Sequence, residues 1–255
     1  MNIGLFASGK VGLEIAGFLR QSSESIVCLA LDARGDALTN KAIADASGVP
    51  PDRIFHSDTL YQPERLAELQ ALSPDLFVLS WWPYIVKKDL IDIPRIGCLN
   101  FHPSLLPYNR GKHYNFWTLV EDTPFGVTIH FVNDGVDSGD IAFQARIDKS
   151  WEDTGETLYY KAQEEIVRLF KESFPIIQSG RIPRAPQDAS QGSFHLGREL
   201  DSASQIDLEK RYSARDLLNL LRARTFPPHP AAWFIDGNEK YEVRVSIRRI
   251  PDPED

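Results

Sequence analysis

The hydrophobic positions along the chain change period repeatedly. "NIGLFA" and "IVCLALD" are short β-rich runs, and between them Val11, Ile15, Phe18 and Leu19 recur at helical spacing. Leu66, Leu69 and Leu72 mark another helical stretch, followed by a third strand, "LFVLSW". Strands alternating with helices predict parallel pairing through crossover helices, so the first half reads as a doubly wound α/β layer structure. The pattern continues through the strand "GCLNFH", a long loop, the helix "NFWTLVED", and two strands, "GVTIHFV" and "IAFQARI", joined by the loop "NDGVDSGD". Asp153 and Glu156 are spaced as a capping box ahead of a helix carrying Leu158, Ala162, Ile166 and Phe170. That helix is expected to close a first domain, residues 1–180.

Residues 181–255 have a different texture. "SGRIPRAPQDASQGSFH" is rich in Pro, Ser, Gly and Gln and reads as a linker. Ser213, with Asp216 three residues on, starts a helix. "TFPPHP" then breaks the chain, and a hairpin turns through "DGN" into "YEVRVSI". A small α+β C-terminal domain is expected, and there is no internal repeat.

Composition narrows the classes. With 255 residues, 42% hydrophobic and 25% charged, the chain is an ordinary globular protein able to bury a substantial core. Its 28 Lys plus Arg against 36 Asp plus Glu give a net charge of −8, the wrong sign for a protein that lives on phosphate backbones. Residues 181–255 carry 12 basic and 12 acidic side chains, so no basic patch is concentrated there, and nucleic acid is not an expected partner. Cys28 and Cys98 sit inside apolar runs, as buried thiols do. No apolar span reaches membrane length and no leader is evident, so a cytoplasmic enzyme is expected, away from membranes.

The candidate chemistry begins in "CLNFHPSLLPYNRGK". Side chains alternate across a strand, so Asn100 and His102 project to one face and Leu99 and Phe101 to the other. Pro103 ends the strand and leaves His102 at its carboxyl end, the edge where open α/β sheets bind ligands. An amide can donate to a developing oxyanion, and an imidazole can move protons near neutrality. The pair suits a tetrahedral oxyanion intermediate: acyl or formyl transfer, or hydrolysis. Asp134, Asp137 and Asp140, in the glycine-punctuated loop after "GVTIHFV", are candidates to orient the imidazole, although Asp beside Gly is also common turn chemistry.

Taken together, "NFHPSLLPYNRG" and "GVTIHFVNDGVDSGDI" resemble the paired signatures of the folate-dependent formyltransferase family. Its members act on glycinamide ribonucleotide, methionyl-tRNA and nucleotide-linked amino sugars. The resemblance is dense between Asn100 and Ile141. It implies a Rossmann-like, mostly parallel formyltransferase fold that binds 10-formyltetrahydrofolate beside an acceptor amine, with no metal. The family's catalytic Asn, His and Asp map onto Asn100, His102 and Asp137. Asn100 and His102 would then stabilise the oxyanion while Asp137 balances the imidazole. The pterin would lie against "SWWPYIV", using Trp82, Tyr84 and Ile85, with the Asp134 loop on its other side. Trp81 and Trp82 read equally as core aromatics, and alternation lets only one of them face a given side. A homodimer is also implied.

The segments "FHLGRELD" and "ARDLLNLLRARTFPPHPAAWF" resemble the carboxyl-terminal part of the nucleotide-sugar N-formyltransferases. The expected acceptor is therefore a nucleotide-linked amino sugar, a dTDP-amino-dideoxyhexose first. Methionyl-tRNA enzymes carry a longer, basic tail, and glycinamide ribonucleotide enzymes end sooner. For the diphosphate, Ser8, Gly9 and Lys10 open a helix after the first strand, although a tight strand-to-helix turn explains them equally. Arg110 and Lys112 are further candidates beside the commoner reading of solvated loop cations, and Phe226, His229 and Trp233 read as structural.

Four rivals remain on sequence alone. Asp32 could be the ribose acid of an NAD-dependent oxidoreductase, but G-x-G-x-x-G is missing. A metal-dependent hydrolase using His102, His113 or His130 lacks a ligand spacing. A formyltetrahydrofolate hydrolase with the same triad needs only water in place of the amine. A binding module with a degenerate site conflicts with the intact triad.

Overall fold

The computed structural model describes residues 1–251; the last four residues of the 181–255 segment lie outside the described part. Strands β1 (Asn2–Ala7), β2 (Ser25–Leu31), β3 (Ile54–His56), β4 (Leu76–Ser80) and β5 (Gly97–His102) pair in parallel. A two-residue strand, β6 (Arg110–Gly111), stands apart. Strands β7 (Gly126–Phe131) and β8 (Ile141–Arg146) join antiparallel, completing a seven-stranded sheet of order β3-β2-β1-β4-β5-β7-β8. Strand order reverses beside β1, so a crevice opens at the carboxyl ends of β1, β4 and β5.

Helices cover both faces. On one side α1 (Gly9–Gln21), α2 (Ala37–Ser47), α5 (Tyr114–Val120) and α6 (Gly155–Gln178) pack, and on the other α3 (Pro63–Ala71) and the single turn α4 (Lys88–Ile91). The α1 residues Val11, Ile15 and Leu19 meet Leu158, Ile166 and Phe170 of α6 in one continuous cluster. Phe6, Phe77, Leu69 and Leu90 fill the opposite face. The ring of Phe170 touches Phe18, Phe101 and Phe174 with centroids 6.0, 5.1 and 5.5 Å away, joining two helices to β5. Phe170→Ala should therefore cost about 3–5 kcal/mol in denaturant unfolding, and an unchanged midpoint would remove Phe170 from the core.

Helix α2 and strand β3 have no counterpart in the hydrophobic pattern. Helix α2 buries only Ile43 and Ser47, so its apolar stripe is too thin to read. Its ends are nevertheless marked, by an Asp36 side chain accepting from Thr39 N–H and by Gly48 at φ 66°. Strand β3, at three residues, is too short to show alternation. The cap of α6 also differs from the expected Asp153–Glu156 box: Thr154 and Thr157 form it. Asp153 instead accepts from Ser150 N–H and from the Thr157 hydroxyl and pairs with Lys161, so it braces the first turn of α6 through side chains rather than by capping a helix N–H.

The segment after α6 is largely exposed but tethered at several points. Ala185 exchanges two backbone hydrogen bonds with Ile141, and β9 (Phe194–His195) pairs parallel to β6. A small unit of helices and strands follows: α7 (Glu199–Ala203), α8 (Ala214–Ala223) and the hairpin β10 (Ala232–Asp236) to β11 (Glu239–Val243), the last ending short of the predicted "YEVRVSI". Ser213 caps α8 by accepting from Asp216 N–H. Helix α8 packs on α5 and α6, and its buried Arg222 donates to the carbonyl of Ser150 at 2.6 Å.

Candidate active site

Strand pairing assembles the polar centre. In the antiparallel register of β5 and β7, Asn100 lies opposite His130 and His102 opposite Thr128. His130 Nδ1–H donates to the Phe131 carbonyl at 2.9 Å, which leaves Nε2 to accept from Asn100 Nδ2 at 3.1 Å. His102 Nε2 lies 3.2 Å from the Asn109 carbonyl, and Nδ1 lies 3.4 Å from Asp137 Oδ2. Asp137 comes from the loop between β7 and β8. Its Oδ2 accepts from Gly111 N–H at 3.0 Å, while Oδ1 stands 3.5 Å from Asn100 Nδ2 and 3.6 Å from His130 Nε2. The three residues singled out from two separate stretches of sequence therefore meet at one point, with His130 as a fourth member.

Burial sets the charges. It pushes the His102 imidazole towards its neutral form, against the pull of Asp137. Burial would also raise the Asp137 carboxyl, but His102, His130 and the Gly111 N–H outweigh it and hold the acid well below the ordinary carboxylate range. Burial of the ring and the pull of the carboxylate on its charge thus oppose each other across 3.4 Å. Any proton the ring gains is met at once by two acceptors, a carbonyl on one nitrogen and a carboxylate on the other.

Backbone strain collects here. Trp81, Asn109, His113 and Asp137 adopt φ of 58°, 55°, 61° and 49°, the left-handed region that non-glycine residues usually avoid. Gly111, at φ 90°, is required for a second reason: a Cβ there would sit 2.2 Å from the His195 carbonyl, so only glycine lets β9 lie on β6. The centre opens into a cleft of about 740 Å³, within the size range of small-molecule sites. Trp81, Tyr114 and Tyr159 line one part of it, Trp82 to Val86 another, and Phe194 to Gly197 contribute part of its wall.

The other predicted residues divide. Trp82, Tyr84, Ile85 and Lys112 line the cleft. Tyr84 Oη donates to Asp32 at 2.6 Å, so Asp32 braces the cleft wall and is already engaged where a ribose acid would need to be free. Lys112 Nζ donates across the mouth to the Pro83 carbonyl at 3.3 Å. Asp134 is exposed at the tip of its loop and is not among the lining side chains, although its neighbours Asn133 and Gly135 are. Ser8, Gly9 and Lys10 do not line the cleft either: Ser8 N–H is tied to the Ser80 carbonyl, and Lys10 faces a separate groove of about 200 Å³ between α1 and α6. Arg110 is held in β6 against β9, and its Nε is buried without a partner.

Several residues of the cleft escaped the sequence reading. His130 was named only as a metal ligand, although its place opposite Asn100 follows once β5 and β7 are paired. Tyr114, Tyr159 and the residues of β9 reach the cleft through long-range packing that no local pattern reports. Among the described residues, no three His, Cys, Asp or Glu side chains are placed to hold a metal ion, and no helix is long and apolar enough to cross a membrane.

The formyl transferase family model matches residues 13–173, and the N-formyltransferase dimerization C-terminal domain model matches residues 199–249. A methionyl-tRNA formyltransferase from Methylacidiphilum infernorum is 32% identical over 203 residues, 76% of this chain and 62% of that protein. The chain spans about three fifths of the length of the curated relatives it matches. Its fold is similar to that of a 4-N formyltransferase from Francisella tularensis, with a TM-score of 0.81, 23% identity and 98% of each chain covered. It is also similar to a formyltransferase from Anoxybacillus kamchatkensis in complex with UDP-4,6-dideoxy-4-formamido-L-AltNAc and tetrahydrofolate, with a TM-score of 0.59, 23% identity, 86% of this chain and 97% of that one. The family match covers more than half of the sequence and contains both strands and the loop that bring Asn100, His102 and Asp137 together, and the chain therefore belongs to the formyl transferase family.

Proposed function

We propose that the protein transfers a formyl group from 10-formyltetrahydrofolate to the amine of a nucleotide-linked amino sugar, with a dTDP-linked amino-dideoxyhexose as the first acceptor to test. The observation that carries the choice of acceptor is the C-terminal unit. Residues 199–249 match an N-formyltransferase domain, and the whole chain overlays end to end on a 4-N formyltransferase. The same unit supports a homodimer.

The cleft suits the donor. Its wall beside the polar centre is apolar and open at Ile85, which is 74% exposed, as expected of a surface that a flat ring system covers. Trp82, Tyr84 and Ile85 would hold that ring. 10-Formyltetrahydrofolate supplies an electrophilic formyl carbon. The protein's residues then do the rest. His130 takes one hydrogen of the Asn100 amide, and the other, only loosely engaged with Asp137, turns to the oxygen on which negative charge develops. His102 receives the proton released from the acceptor amine, and Asp137 stabilises the resulting cation until the proton is passed to the leaving nitrogen. Lys112, at the mouth, is the one predicted phosphate contact that lines the cleft.

A second reading, formylation of methionyl-tRNA, is favoured by the 32% identity to such an enzyme and opposed by the net charge of −8. Purified protein incubated with 10-formyltetrahydrofolate, a panel of dTDP- and UDP-amino sugars and, separately, methionyl-tRNA distinguishes the two by mass. One added formyl group on a nucleotide sugar supports the proposal. Formylation of the tRNA alone would replace it, and free formate without an acceptor would indicate a hydrolase.

A further inference from the structure

The geometry points to Gln187, in the connecting segment between the two units, as a positioning residue for the Asp137 carboxylate. This inference rests on the role proposed for Asp137. Gln187 Nε2 donates to the Asp137 carbonyl at 3.0 Å and to the Gly139 carbonyl at 2.6 Å. Two carbonyl acceptors fix which end of the amide faces the loop, since only nitrogen can donate to both. The Gln187 oxygen is buried and finds no partner, so these two bonds alone anchor the side chain.

The loop needs an external hold. Asp137 sits at φ 49°, a conformation that persists in a non-glycine residue only when its surroundings impose it. Its neighbour Gly139 is packed so closely that an added Cβ would lie 1.9 Å from the Phe131 carbonyl, which fixes one end of the turn. Gln187 bonds the carbonyls of both residues and so fixes the span between them. The same connecting segment is stapled on either side: Ala185 to Ile141, two residues beyond Gly139, and Ser193 through its carbonyl to Arg110 N–H, next to the Gly111 that donates to Asp137. A segment whose composition reads as a simple linker thus spans both chain stretches that orient the carboxylate. Both Gln187 hydrogen bonds go to backbone carbonyls of the loop, so its effect on the carboxylate is carried by the backbone.

Steady-state kinetics on Gln187→Ala and Gln187→Glu test this. Loss of the clamp should lower kcat on the order of 10- to 100-fold with both KM values held, since the loop displacement misplaces the charge and leaves the substrate walls intact. Gln187→Glu carries a more specific signature. Its carboxylate repels the two carbonyls near neutrality, whereas its protonated form regains a donor, so its activity relative to wild type should rise as pH falls. A purely structural loss would leave that ratio flat. Wild-type kcat in both variants, or a flat ratio for Gln187→Glu, would overturn the inference. Asp137→Asn run alongside separates the two levels: if it keeps full kcat, the reading of the site itself fails whatever Gln187 does. Should Gln187→Ala fold poorly, the pH ratio of Gln187→Glu, read within one preparation, still decides.

Discussion

Asp137→Asn should lower kcat for formyl transfer on the order of 10⁴-fold while leaving both KM values near their wild-type levels, by analogy with loss of the carboxylate in other imidazole–carboxylate pairs. The substitution keeps the shape and can still accept from Gly111 N–H through its carbonyl oxygen. It loses the charge 3.4 Å from His102 Nδ1, which is what makes proton uptake by a buried ring affordable. The wild-type acid is held well below the ordinary carboxylate range, so Asp137 stays ionised through mildly acidic pH and the acid limb of the rate profile belongs to other groups. Initial-rate measurements of formylated product check this, and a fall of less than about tenfold would place the carboxylate outside the chemistry.

Asn100→Ala should cost on the order of 10²- to 10³-fold in kcat, the effect of removing one oxyanion donor. The amide is already oriented by His130 Nε2 at 3.1 Å, so it reaches the transition state without reorganisation. A donor whose main contact forms only as charge develops changes turnover more than affinity. A rise in KM with kcat preserved would instead make Asn100 a binding residue.

The legible part of this molecule is the part written in local pattern. Alternation around Asn100 and His102, ended by Pro103, located the face of β5 proposed for catalysis, and the glycine-rich loop located Asp137. Their convergence was legible only through family resemblance, because the antiparallel pairing of β5 with β7 is a long-range fact. His130 stayed hidden for the same reason. The helix-start reading of Ser8, Gly9 and Lys10 was correct as local structure, since α1 does begin there. As a phosphate site it draws no support from the cleft, which these residues do not line, and Lys10 projects towards α6. The connecting segment shows the opposite error: Pro, Ser and Gly composition reports a lack of core, and says nothing of Gln187 or of β9 closing on β6.

A structure of the protein with a stable formyl-folate analogue and a dTDP-amino sugar tests most directly whether formyl carbon changes hands between Asn100, His102 and Asp137. The expected result places the formyl oxygen within hydrogen-bonding distance of the Asn100 amide, the pterin against Trp82 and Tyr84, and the sugar amine on the Tyr114 and Tyr159 side. A pterin seated elsewhere, with the formyl group out of reach of both Asn100 and His102, would contradict it.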